Sequence, residues 1–108
     1  MPKIKVIRER DIEKYLVSQV KAIGGEVRKV KWIGRRSAPD RLAMLPVSQF
    51  MRNGIATPIG IPRTIWIELK APGVAPEAHQ VREHKRMRAM GQRVEVVDSF
   101  DRVDEVLS

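Results

Sequence analysis

Two carboxylates and one ammonium define the chemistry open to this chain. The run Ile65-Trp66-Ile67-Glu68-Leu69-Lys70 is a short apolar stretch broken by a carboxylate and, two residues later, by an amine. Side chains alternate faces along a strand, so Glu68 and Lys70 share one face while Ile67 and Leu69 share the other. Opposite charges on one face of an apolar strand cost desolvation energy unless something compensates them. A divalent cation with a bound water and a phosphate would do so. Upstream, Pro39-Asp40 precedes a second apolar run, Leu42 to Leu45, and puts another carboxylate at the mouth of a strand. Asp40 and Glu68, facing each other on adjacent strands, would supply two oxygen ligands, with the Leu69 backbone carbonyl as a third. Mg²⁺ (or Mn²⁺) favours such hard ligands. The set suits phosphodiester hydrolysis, with Lys70 orienting or deprotonating the attacking water and offsetting developing charge. Each piece alone says little, since most Glu-x-Lys steps are solvated strand edges and most Pro-Asp steps are turns.

Bulk composition points to the same class of substrate. Lysine and arginine number 21 against 13 acidic residues, a net charge of +8. A small domain this basic suits a polyanion. The 108 residues are enough for one domain with one modest core. No apolar run approaches the ~20 residues of a membrane span, and no segment joins a basic face to a continuous apolar one, which argues against a membrane partner. The start, Met1-Pro2-Lys3-Ile4-Lys5, leads into a charged helix rather than a secretory core. The absence of cysteine removes disulfides and thiolate metal sites and fits a cytoplasmic protein.

The elements that must position these groups follow from periodicity. Residues 9–23 read as a helix whose stripe is Ile12, Tyr15, Leu16, Val20 and Ile23, stopped by Gly24-Gly25. Glu13 borders that stripe, and Glu9 lies near the same face one turn earlier. Glu26 to Ile33 is a strand candidate, residues 34–39 a loop, and Arg41 to Val47 a second strand. Residues 46–63 hold Pro46, Asn53-Gly54, Pro58, Gly60 and Pro62, which reads as a hairpin-like insertion. Strand three spans Thr64 to Ala71. Pro76 fits the first turn of a second helix running to about Met90, with Gln80, His84 and Met87 on one stripe. Arg93 to Asp98 reads as strand four and Asp101 to Leu107 as a short closing helix. The order α-β-β-β-α-β predicts an α/β fold with a mixed central sheet flanked by helices.

Pro-Asp followed by Glu-x-Lys, between a helix bearing Glu13 and a helix bearing Gln80, resembles the PD-(D/E)xK superfamily of metal-dependent nucleases. The resemblance narrows on three stretches: Asp11-Ile12-Glu13-Lys14-Tyr15-Leu16-Val17 ending in Gly24-Gly25; Arg35-Arg36-Ser37-Ala38-Pro39-Asp40-Arg41-Leu42; and Ile67-Glu68-Leu69-Lys70-Ala71-Pro72-Gly73 with Gln80. Together they are similar to the stand-alone VRR-NUC domains, the virus-type replication-repair nucleases of phages and bacteria, also found fused to a eukaryotic repair nuclease. The match covers nearly the whole chain, including Gly91 and the strand Val94 to Asp98. The first helix also resembles that of archaeal Holliday-junction resolvases, which share the fold. This resemblance implies a restriction-endonuclease-like core, metal ligation by Asp40 and Glu68, and the catalytic lysine role for Lys70. It implies that Glu13 reaches the ion through a water and that Gln80 supports the motif by hydrogen bonding. It further implies a homodimer and the cytoplasm of a bacterial or phage-infected cell. Two departures stand out: Ser37 occupies a position usually held by glycine, and the 27 residues between Asp40 and Glu68 exceed the usual gap.

The resulting expectation is a metal-dependent endonuclease that cuts structured or branched DNA, with Holliday-junction resolution as one form of that activity. One small domain offers little surface for reading sequence, which favours recognition of shape and backbone. Lys29, Lys31, Arg35, Arg36 and Arg41, beside the motif, are the expected phosphate contacts. A non-catalytic DNA-binding module on the same fold is the alternative, opposed by the presence of every charged or polar site position. An RNA-binding protein fits the charge but lacks an aromatic-rich strand face. His79 and His84 read as helix-surface or core-edge histidines, and Trp32 and Trp66 as core.

Overall fold

The computed structural model describes residues 5–47, 49–60 and 63–108. Residues 1–4, hence most of the charged start, and residues 48, 61 and 62 within the 46–63 stretch lie outside the described residues. The elements in chain order are α1 (Glu9–Ala22), β1 (Glu26–Lys29), β2 (Arg41–Leu45), β3 (Gln49–Arg52), β4 (Ile55–Pro58), β5 (Arg63–Leu69), α2 (Ala78–Ala89), β6 (Val94–Val97) and α3 (Phe100–Leu107). Four strands form a mixed sheet in the order β1-β2-β5-β6. β2 runs antiparallel to both β1 and β5, whereas β6 runs parallel to β5 through the α2 crossover.

Alternation along β5 sorts the molecule into two layers. Ile65, Ile67 and Leu69 enter a core with Ile12, Leu16 and Val20 of α1, Ala43 and Leu45 of β2, Val97 of β6, and Val103 and Val106 of α3. Tyr15 ties the two helices of this layer together, donating to Asp104 at 2.7 Å and packing on Phe100 at 4.9 Å between ring centroids. The opposite face carries Trp66 and Glu68 and is covered by α2, whose buried residues are Glu83, His84 and Met87.

Both long helices deliver the chain to the sheet through the same cap. After α1, Gly24 N–H donates to Lys21 O at 3.0 Å and Gly25 N–H to Val20 O at 2.9 Å. After α2, Gly91 N–H donates to Arg88 O at 3.0 Å and Gln92 N–H to Met87 O at 3.1 Å. This is the Schellman arrangement, and it needs the left-handed backbone seen at Gly24 (φ 85°) and Gly91 (φ 85°).

The mixed sheet between helices matches the sequence expectation, with shifted edges. β1 stops at Lys29 rather than Ile33: Val30 N–H still reaches Asp40 O in the same register at 2.9 Å, and beyond it the chain is held by the Trp32 side chain, whose indole N–H donates to Pro39 O at 2.9 Å. β2 stops at Leu45, where Pro46 has no N–H to offer. Pro76 lies two residues before α2, not in its first turn, since Glu77 is the cap. Within the 46–63 stretch, β3 and β4 form a separate two-stranded sheet, and all of β4 is exposed. The Cα radius of gyration, 16.2 Å, exceeds the ~13 Å of a compact chain of this size, consistent with that self-paired hairpin.

Gly25 faces the sheet so closely that an added Cβ would lie 2.5 Å from Met44 O and 2.9 Å from Val20 Cγ1. Gly25→Ala is therefore expected to destabilise the fold by about 1–3 kcal/mol, lowering Tm by roughly 5–15 °C. An unchanged Tm by scanning calorimetry would show that α1 does not seat on the sheet as closely as described.

Candidate functional site

Glu68 sits on a central strand, 8% exposed, and its Oε1 has no hydrogen-bond partner among the described residues. Burial pushes its carboxyl up to about 7. Among the neighbouring charges, Asp40 and Glu9 push the same way, while Lys70 and Arg41 pull it down. Asp40 stands one step before the paired residues Arg41 and Ile67, opposite Glu68, with its side chain 59% exposed. Lys70 follows β5 directly, held by its N–H to Val97 O at 3.0 Å. The three groups expected at the centre of the site are thus gathered at one end of the β2–β5 pair.

The helix acids divide differently from expectation. Glu13 is bound to Arg41 Nη2 at 2.9 Å, and Arg41 Nη1 holds Asp40 Oδ1 at 2.9 Å. Arg41 pairs in register with Ile67 and so lies on the α1 face of the sheet, its side chain only 12% exposed. Burial opposes its charge, but Glu13 and Asp40 together raise the guanidinium above its ordinary pKa. Arg41 is therefore a clamp between two carboxylates rather than a free phosphate contact. The helix acid whose charge is felt at Glu68 is Glu9, one turn earlier. Sequence spacing allows either glutamate; the destination of Arg41 is a tertiary fact that spacing does not contain.

Gln80 is placed at the start of α2, where its Oε1 accepts the Glu77 N–H at 2.9 Å. It caps the helix, and among the described residues it makes no hydrogen bond to Asp40, Glu68 or Lys70. Arg35, expected on DNA, is gripped by the buried Glu83 through Nε to both carboxylate oxygens (3.2 and 3.1 Å) and Nη2 to Oε1 (2.9 Å). That fork pins the loop before Asp40 onto α2. Lys29, Lys31 and Arg36 remain exposed.

Ser37 holds a left-handed backbone, φ 71°, the region a glycine enters without strain. A left-handed residue with a Cβ costs about 1–2 kcal/mol, offset here by the 2.6 Å hydrogen bond between Ser37 Oγ and His79 Nδ1. Trp32 and Trp66 meet at 5.1 Å between ring centroids and line an apolar hollow of about 230 Å³ with Met87 and Met90. His84, read from sequence as a core-edge residue, is 1% exposed with Nε2 3.4 Å from Glu68 Oε1.

The donor set fits a hard divalent ion. A carboxylate buried as Glu68 is costly to ionise as it stands, and a cation bound through one of its oxygens would offset that cost. Among the described residues no three His, Cys, Asp or Glu groups are gathered at ligand spacing. Asp40, Glu68 and the Leu69 carbonyl would thus leave much of the shell to water and phosphate, as Mg²⁺ prefers.

No protein-family model matches the chain. A curated relative from Acyrthosiphon pisum secondary endosymbiont phage 1, described as "Putative nuclease p44", is 45% identical over 98 residues, covering 91% of this chain and 90% of its own length. A solved structure described as "VRR_NUC domain" is similar with a TM-score of 0.69 at 36% identity, over 92% of both chains.

The raised pKa of Glu68 has a consequence for metal-free stability. The folded state holds this proton up to about pH 7, whereas the unfolded carboxyl releases it near 4.5. Stability therefore falls as pH rises through that window. In EDTA, Glu68→Gln is expected to be more stable than the parent at pH 8, by on the order of 2–3 kcal/mol, with the gap closing below about pH 4.5. Parallel thermal-unfolding curves with a pH-independent gap would contradict this.

Proposed function

This chain belongs to the VRR-NUC family of nucleases, and from that premise we propose a Mg²⁺- or Mn²⁺-dependent endonuclease that hydrolyses phosphodiester bonds in branched or otherwise structured DNA. The observation that carries the reading is the buried, unpartnered carboxylate of Glu68, with Asp40 opposite and Lys70 on the same strand face. When bound there, the ion would supply Lewis acidity toward the phosphate and a more acidic water. Asp40, Glu68 and the Leu69 carbonyl hold it. Lys70 orients the attacking water and offsets charge on the phosphoryl oxygens. Lys29, Lys31 and Arg36 are free to meet backbone phosphates, which read shape rather than sequence. Arg41 serves by tying Asp40 to Glu13, and Arg35 by fixing the loop. Resolution of Holliday junctions by a homodimer is the finer form of this proposal. It is supported by the small size of the chain and by exposed Phe50, Met51 and Ile55 on the β3–β4 hairpin.

A non-catalytic DNA-binding module is favoured by one observation, the lack of a preassembled three-ligand cluster among the described residues. Cleavage of labelled single strand, duplex, flap, splayed arm and four-way junction in Mg²⁺, Mn²⁺ or EDTA separates the two. Lys70→Ala should lose cutting by at least ~100-fold while DNA affinity changes little. Binding without cutting under every metal would establish the module instead. Light scattering after size exclusion should give twice the chain mass; a monomer both with and without junction DNA would remove the dimeric resolvase.

A further inference from the structure

Two buried polar atoms face each other without a bond. Glu68 Oε1 and His84 Nε2 are 3.4 Å apart, and neither has a hydrogen-bond partner among the described residues. Leaving one such group unsatisfied costs about 1–3 kcal/mol, and here two are left unsatisfied side by side. A purely packing position on this stripe of α2 would take a residue like Met87, three positions on and also buried. Glu83 does not relieve His84, because its carboxylate is committed to Arg35. Only a proton on Nε2 lets this ring nitrogen donate to the carboxylate oxygen it faces.

We propose that His84 is a positioning residue for Glu68: its Nε2–H donates to Oε1 and leaves the other carboxylate oxygen for the metal ion. This rests on the metal-dependent reading above. At 3.4 Å the pair is already near hydrogen-bond reach, and a small turn of the imidazole that aligns its N–H with Oε1 completes the bond. The tautomer is part of the proposal, with the proton on Nε2 and Nδ1 bare. Holding one oxygen restricts Glu68 to one-oxygen ligation. That restriction bears on which ion is accepted, since Ca²⁺ readily takes both oxygens of a carboxylate whereas Mg²⁺ and similar small octahedral ions do not. His84 thus sharpens affinity for the small ion and selectivity against the large one. Hydrogen-bonded partners of ligating carboxylates are typically worth 10–100-fold in metal affinity.

The test compares the parent with His84→Leu and His84→Gln, the second retaining an N–H donor of similar reach. Mn²⁺ and Ca²⁺ are titrated into the DNA-free protein by calorimetry, with Tm in EDTA as the folding control. His84→Leu should keep its Tm or gain, bind Mn²⁺ at least ~10-fold more weakly, and lose less for Ca²⁺, so that the Mn²⁺/Ca²⁺ preference narrows. His84→Gln should recover most of both. If His84→Leu does not fold, His84→Met takes its place with the same expectations. Parent-like Mn²⁺ binding in the apolar variant would overturn the proposal, and so would an equal loss in His84→Gln. A parent that binds Mn²⁺ while the variants match it leaves the nuclease reading intact; a parent that binds no Mn²⁺ overturns both.

Discussion

A carboxylate held out of water on the central strand is the constraint on which the rest of this structure depends. Glu68 is tolerated there because the neighbouring residues of β5 have no freedom to point elsewhere. Ile65 and Ile67 are fully buried and Leu69 nearly so, each contributing roughly 1.5–3 kcal/mol. A slip of one residue would place the carboxylate among Ile12, Leu16 and Val103 and turn the isoleucines outward. The hydrophobic core therefore fixes the site, and the polar groups of the site inherit their direction from it. Few direct contacts between the site's own groups are needed, and few are seen.

Around that strand the basic residues divide into two kinds. Arg41 and Arg35 are spent internally, one bridging Glu13 and Asp40, the other forked onto Glu83. Both bracket the loop that ends at Asp40, and Ser37 with His79 adds a third tie. An exposed aspartate at a strand mouth would otherwise ride on a loop containing Gly34 with nothing to hold it. Lys29, Lys31 and Arg36 make no such commitment among the described residues and stay exposed.

Much of this was legible before the structure. Period-two and period-3.6 patterns located every element of the main sheet and its helices, because each buries one face against the same core. Asp40, Glu68 and Lys70 were legible as a group because strand alternation puts Glu68 and Lys70 on one face and because Pro-Asp followed by Glu-x-Lys is a recognisable pattern, while the pairing that brings Asp40 opposite Glu68 is supplied by the fold. The choice between Glu9 and Glu13 was not, since both lie on one side of α1 and the partner that claims Glu13 comes from β2. Nor were the commitments of Arg35 and Arg41, which composition counts as two more positive charges. Ser37 shows the converse limit. Serine is not a residue type that signals a left-handed turn, yet Ser37 adopts one, with a hydrogen bond across to α2 offsetting the strain. Gln80 was expected to support the motif and instead closes the first turn of its own helix.

The β3–β4 hairpin interrupts the chain between the strands that carry Asp40 and Glu68, yet it does so at the end where Leu45 pairs with Arg63. The acidic pair sits at the other end, one β2 strand or about 17 Å away. Extra residues inserted at the Leu45–Arg63 end lengthen a loop without stretching the register that aligns the carboxylates, and doubling a loop costs only ~0.6 kcal/mol. The architecture separates a chemical pole from a variable pole. Hairpins of different length or sequence can be exchanged at the variable pole while the catalytic geometry stays fixed, so this site can acquire new substrates by changing an appendage rather than its chemistry.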